Sequence, residues 1–253
     1  MCLSERNGYK NDKKGIFWCC KKNEGLGENI SRYKDWRRDK MNLELEMLVD
    51  RYPVLRCCKE DIYRSFLIIR DAYKQKGKLL VCGNGGSCAD AEHIVGELMK
   101  GFCKRRKISD ELVEQLRSKV QNAEHVDFLI DSLECGLPTI ALSAHTALNT
   151  AFGNDKDSDL IFAQEVMGYG EAGDVLLGIS TSGNSKNVIY AMELAKAKGL
   201  HTVVLTGNDG GMLAQIADIS IVVPLSQTYQ IQELHLPIYH TLCLMLENEF
   251  FEE

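Results

Sequence analysis

The densest gathering of chemistry-bearing residues is Gly178-Ile179-Ser180-Thr181-Ser182-Gly183-Asn184-Ser185-Lys186-Asn187, between a short apolar run and a helical pattern over 188–198. Hydroxyls and free backbone N–H groups at the start of a helix can cradle a dianion. The first N–H groups have no partner within the helix, and the helix dipole favours negative charge there. An ordinary cap needs one hydroxyl, whereas Ser180, Thr181, Ser182 and Ser185 supply four. The stretch therefore predicts a phosphate-binding turn.

A second turn, Gly83-Asn84-Gly85-Gly86-Ser87, also follows an apolar run. Counted from Gly83 and Gly85, Cys88 stands where the dinucleotide G-x-G-x-x-G pattern requires its last glycine, so a nucleotide cofactor is disfavoured. On the helix expected after this turn, His93 and Glu97 are four residues apart and share one face. That spacing suits a shared divalent metal, or a carboxylate base with an orienting histidine. A third group, Gln232, Glu233, His235 and His240, lies in an otherwise apolar final helix. Gln232 and His240 would stand roughly 12 Å apart along an ideal helix. Sharing one ion would thus require either a distortion at Pro237 or groups from two chains. His235 is equally consistent with a packed, hydrogen-bonded histidine.

These side chains must be held by an alternation of strands and helices. Apolar runs at 79–82, 139–142, 175–179, 202–205 and 219–223, several separated by helical patterns, predict an α/β fold with a parallel sheet covered on both faces. Ligands of such sheets gather at the carboxyl ends of the strands, where the glycines and hydroxyls cluster. Ahead of the sheet, residues 41–76 read as two helices broken near Pro53, the second burying Ile62, Phe66, Ile69 and Tyr73. Residues 104–134 read as a helical insertion. Its opening Lys104-Arg105-Arg106-Lys107 is expected to be a solvated face. Residues 1–40 are polar and aperiodic, which predicts a disordered extension or a biological start at Met41.

The 253 residues are 45% hydrophobic and 26% charged, a balance suited to one sizeable core. A net charge of -6 offers no overall attraction for nucleic acid. No apolar run approaches the ~20 residues that span a bilayer, and the opening stretch lacks an apolar signal core, so a cytoplasmic protein is expected. The ten cysteines include the adjacent pairs Cys19-Cys20 and Cys57-Cys58 but no C-x-x-C, which favours reduced thiols over a disulfide framework or zinc finger. Cys82 and Cys88 are expected to be small packed side chains.

Taken together, the segments 82–97, 151–155, 173–185, 205–211 and 230–240 resemble the bacterial phosphoheptose isomerases, a family of the sugar isomerase (SIS) domains. The resemblance covers most of the chain from residue 41 onward. It implies a three-layer fold around a five-stranded parallel sheet. It also implies a homotetramer with active sites between subunits, zinc, and interconversion of sedoheptulose 7-phosphate with glycero-manno-heptose 7-phosphate. Matched motif to motif, Ser180, Thr181, Ser182 and Ser185 would hold phosphate, while Asn84, Gly85, Gly86, Ser87, Asn154 and Asp155 would line the sugar site. His93, Glu97, Gln232 and His240 match metal-binding positions, Glu97 and Gln232 also touch substrate, and Glu97 and His240 form the implied catalytic pair. Two positions depart from the family pattern. Gly101 replaces an arginine four residues after the glutamate, and Tyr229 replaces an aspartate three residues before the glutamine. Both fall on substrate contacts, leaving the sugar open. The alternatives are an isomerase of another sugar phosphate and a non-catalytic sugar-phosphate-binding regulator. The presence of both Glu97 and His240 favours an enzyme.

Overall fold

In a computed structural model that describes residues 43–251, each apolar run becomes a strand. The expected extension over 1–40 lies outside the described residues. The strands are β1 (Leu79–Gly83), β2 (Thr139–Ala141), β3 (Val175–Ser180), β4 (His201–Gly207) and β5 (Ile219–Val223). All pair in parallel, in the order β2-β1-β3-β4-β5.

The helices in chain order are α1 (43–51), α2 (Lys59–Lys74), α3 (Gly86–Met99), α4 (Asp110–Lys119), α5 (Ala123–Ser132), α6 (Thr146–Phe152), α7 (Ile161–Tyr169), α8 (Lys186–Ala197), α9 (Gly211–Ile216) and α10 (Thr228–Phe250). Successive strand side chains point to opposite faces, and both faces are covered. Leu79 and Val81 of β1, with Val175, Leu177 and Ile179 of β3, pack against residues of α1, α2, α3 and α10. Leu80, Cys82 and Leu176 pack the other way, against α7, α8 and α9. Pro53 opens a 3-10 turn, Pro53–Cys58, that separates α1 from α2. Ile62, Phe66, Ile69 and Tyr73 are all buried along α2.

Between α3 and β2 lie α4 and α5, each started by a side-chain cap, Ser109 to Leu112 N and Asn122 to His125 N. The basic run ahead of them departs from the solvated face expected of it. Arg105 and Lys107 are exposed, but Arg106 is fully buried, its Nε donating to Glu247 Oε1 at 2.9 Å. Its partner comes from the far end of the chain, which is why local composition does not reveal it. Cys57, Cys58, Cys82, Cys88, Cys103 and Cys243 are free, whereas Cys135 is disulfide-bonded, against the reduced-thiol expectation. Burial pushes the Cys82 thiol up, in keeping with a packed rather than reactive side chain.

His235 of α10 is a core histidine. It is buried with Nε2 3.2 Å from Thr206 O of β4, and burial pushes it down to about 4. Because its folded value lies below the ordinary 6.5, the unfolded chain takes up a proton first as pH falls. Its contribution to stability is complete above pH 6.5 and is lost on acidification toward pH 4. Urea midpoints measured across that window are expected to fall with pH, and to fall less steeply in His235→Gln.

Candidate active site

From β1 the chain first winds outward to β2 and then returns to the other side of β1 as β3, so the turns after β1 and β3 lead away from each other. The crevice between two such turns is where a doubly wound sheet takes its ligand. Here the two turns are joined directly. Asn84 Nδ2 donates to Asn187 Oδ1 and Asn187 Nδ2 donates to Asn84 Oδ1, each at 2.9 Å. Asn187, on the first turn of α8, was not singled out from the sequence. Its only local signal is its place just after the serine cluster.

The first turn is tight enough to need its glycines. A Cβ on Gly83 would lie 2.7 Å from Ser87 O, and Gly85 has φ +58°. Ser87 is buried at the start of α3. In the second turn Ser180 Oγ and Ser185 Oγ are 3.0 Å apart. Ser185 is the N-cap of α8 yet makes no side-chain capping bond, so its hydroxyl faces the turn. Thr181 is half-buried and Ser182 exposed, with Ser182 Oγ accepting from Asn184 N at 3.2 Å. Gly183, at φ +65°, lies against the backbone of Gly210 and Gly211. Asn184 Oδ1 accepts from Met212 N at 3.1 Å, tying the turn to α9. The hydroxyls are thus set on a braced backbone before any ligand arrives.

The second half of the site is made where α3 and α10 run side by side in the same direction. Gly86 meets Gln232 near their starts, and His93 meets Tyr239 and His240 farther along. His93 Nδ1 lies 3.0 Å from the Tyr239 hydroxyl, which donates to Asp90 Oδ1 at 3.2 Å. On its other side, His93 Nε2 lies 3.1 Å from Glu97 Oε1. The rings of His93 and His240 cross edge-on with centroids 5.0 Å apart, and Phe102 closes over His240 at 5.5 Å. Burial and the neighbouring His93 lower the pKa of His240, against an upward pull from Glu97, which favours the neutral imidazole. Sequence reasoning found His93, Glu97 and His240. It missed Tyr239 and Asp90, which only the packing of α10 on α3 brings to His93.

His93, Glu97 and His240 therefore meet within one chain, without help from a neighbour. Gln232 does not join them. It lies against Gly86, where an added Cβ would be 2.4 Å from its Nε2. Pro237 leaves α10 continuous, so Gln232 stays two turns from His240. His240 Nε2 is buried without a hydrogen-bond partner. Two imidazoles and a carboxylate side by side form a donor set suited to zinc. As they stand, no three His, Cys, Asp or Glu side chains among the described residues enclose an ion. Asn154 and Asp155 lie exposed on a π-helical turn after α6 and bond to each other at 3.0 Å. Among the described residues, neither side chain bonds to the two turns.

Residues 54–134 and 129–207 match the family model for the SIS domain. The phosphoheptose isomerase of Nitratiruptor sp. is 43% identical over 189 residues, 75% of this chain and 86% of that protein. That of Rhodospirillum rubrum is 35% identical over 210 residues, 83% and 97% of the two chains. The chain belongs to the phosphoheptose isomerase family. Solved phosphoheptose isomerases from Neisseria gonorrhoeae and Francisella tularensis are each 30% identical to it, with TM-scores of 0.60 and 0.63. They match 88% and 82% of this chain and 99% and 96% of their own.

The family's two departures have different settings here. A Cβ on Gly101 would lie 2.3 Å from Lys104 O and close to the Glu134 carboxylate, which accepts from Gly101 N at 2.9 Å. An arginine cannot occupy this backbone unless the backbone shifts. Tyr229 is 61% exposed at the start of α10, so its ring is free to meet a ligand. The amide pair across the crevice gives a direct test of whether this crevice takes a sugar phosphate. Asn187→Ala removes both hydrogen bonds across the crevice, about 1 kcal/mol each, and is expected to weaken sugar-phosphate binding by roughly tenfold or more. Isothermal titration with an aldose or ketose phosphate measures this.

Proposed function

We propose that this chain is an aldose–ketose isomerase that interconverts sedoheptulose 7-phosphate and glycero-manno-heptose 7-phosphate. The observation that carries the reading is the convergence of Glu97 and His240 on His93, from two helices of one chain, in a fold whose sheet also presents a braced hydroxyl turn. Curated relatives named phosphoheptose isomerase support the substrate class. The dianionic end of the sugar sits on Ser180, Thr181, Ser182 and Ser185 at the start of α8. Asn84, Gly85, Gly86 and Ser87 then face the carbon chain, with Asn154 and Asp155 as further sugar contacts.

With the phosphate anchored, the carbonyl end reaches Glu97, whose side chain is 15% exposed and so open to a ligand while partly withdrawn from water. Glu97 removes the proton from C1 of the ketose, leaving an enediolate, and returns it to C2 to give the aldose. His240, favoured in its neutral form, moves the accompanying proton between the two oxygens. His93, held by Tyr239 and Asp90, orients Glu97 from the side. Zinc held by His93, Glu97 and His240 would supply Lewis-acid stabilisation of the enediolate oxygens.

The proposal includes a cytoplasmic homotetramer with active sites between subunits, in which Gln232, lying against Gly86 of the glycine turn, touches the sugar. No helix among the described residues is long and apolar enough to cross a membrane. Glu97→Gln is expected to lower kcat by about 10² to 10⁴-fold while leaving the dissociation constant for the sugar phosphate largely unchanged. Full turnover in that variant would remove Glu97 from the mechanism.

A further inference from the structure

α3 ends at Met99, just past Glu97, and its last turn is completed in an unusual way. The next backbone N–H groups, which would continue the helix by bonding back four residues, are diverted to carboxylates. Gly101 N donates to Glu134 Oε2 at 2.9 Å, Phe102 N to Glu247 Oε1 at 2.8 Å, and Cys103 N to Glu247 Oε2 at 2.9 Å. Two of the carbonyls left behind are taken by one guanidinium. Arg106 Nη2 donates to Glu97 O at 3.0 Å and Nη1 to Leu98 O at 2.7 Å, while Nε donates to Glu247 Oε1 at 2.9 Å. The Phe251 ring covers the guanidinium, 4.6 Å from Cζ to centroid.

The Arg106 and Glu247 side chains are 0% and 1% exposed. A pair buried so completely is poorly accounted for by stability, because removing two charges from water costs about as much as their attraction returns. What the pair does supply is geometry. Arg106 holds the carbonyl of Glu97 itself. Glu247 stands seven residues after His240 on α10, two turns along the same face.

We propose that the buried Arg106–Glu247 pair is the positioning element of the acid–base centre. It takes the place of the missing last turn of α3 and ties it to α10, and so fixes where Glu97 stands relative to His240. The inference deepens the isomerase reading and rests on it. The glycine turn at the opposite end of α3, joined to the hydroxyl turn of α8 through Asn84 and Asn187, is not held by this pair, so a loosened pair should disturb the chemical step and spare binding.

Arg106→Lys keeps the charge, but one ammonium cannot reproduce a planar fork over three acceptors. Steady-state kinetics on this variant, beside the unaltered enzyme and normalised to its folded fraction, are expected to show kcat lowered roughly ten- to a hundredfold with KM within about threefold, the loss typical of a misplacement near 1 Å. Glu247→Gln is expected to show the same split and carries the test should Arg106→Lys fail to fold. A lowered melting temperature with unchanged kcat, or a parallel rise in KM, would overturn the inference. Absence of turnover in the unaltered enzyme would instead remove the acid–base centre itself, and the inference with it.

Discussion

Glu97 and His240 are far apart in the chain, and only the side-by-side packing of α3 and α10 brings their side chains together. That packing rests on the apolar layer beneath the sheet, where Ala91, Ile94 and Leu98 of α3 meet Leu234, Ile238, Leu242 and Leu246 of α10. Because the two helices run in the same direction, contacts follow in order along both. Gln232 lies at the glycine turn, Tyr239 and His240 at His93, and Glu247 beyond the end of α3. A slip of one turn in either helix would separate the carboxylate from the imidazole while leaving the sheet intact.

The two halves of the site use different physics. At the switch point of the sheet, the proposed phosphate site offers oriented N–H groups and hydroxyls rather than cationic side chains, which suits a protein of net negative charge. The reacting half relies on partial burial. Withdrawal from water lowers the pKa of His240 and raises that of Asp90, whose Oδ2 is buried without a partner. A hydrogen-bonded network running Asp90, Tyr239, His93, Glu97 thus links the partly buried acid of α3 to the carboxylate at its far end.

Much of this was legible in the sequence, for identifiable reasons. Parallel strands buried on both faces read as unbroken apolar runs, so all five strands stood out. The hydroxyl turn ahead of α8 was legible as the proposed phosphate site because four hydroxyls exceed what a helix cap needs. His93 and Glu97 were legible because helical spacing alone places them on one face. What was not legible depends on contacts between distant segments. Arg106 sits in a basic run whose composition suggests solvent, and its partner Glu247 comes long after it. Tyr239 and Asn187 look ordinary in their own helices. The spacing of Gln232 and His240 raised a real alternative that helix geometry could not resolve. The structure answers half of it, by assembling the acid and the imidazole in one chain and leaving the glutamine at the glycine turn.

The most direct measurement is isotopic. The protein is incubated with sedoheptulose 7-phosphate in deuterated water and the sugars are followed by NMR. A carboxylate that carries hydrogen between neighbouring carbons exchanges it with solvent, so deuterium is expected at C1 of the ketose and C2 of the aldose. A sugar phosphate that binds tightly yet stays free of deuterium at both carbons would contradict the account.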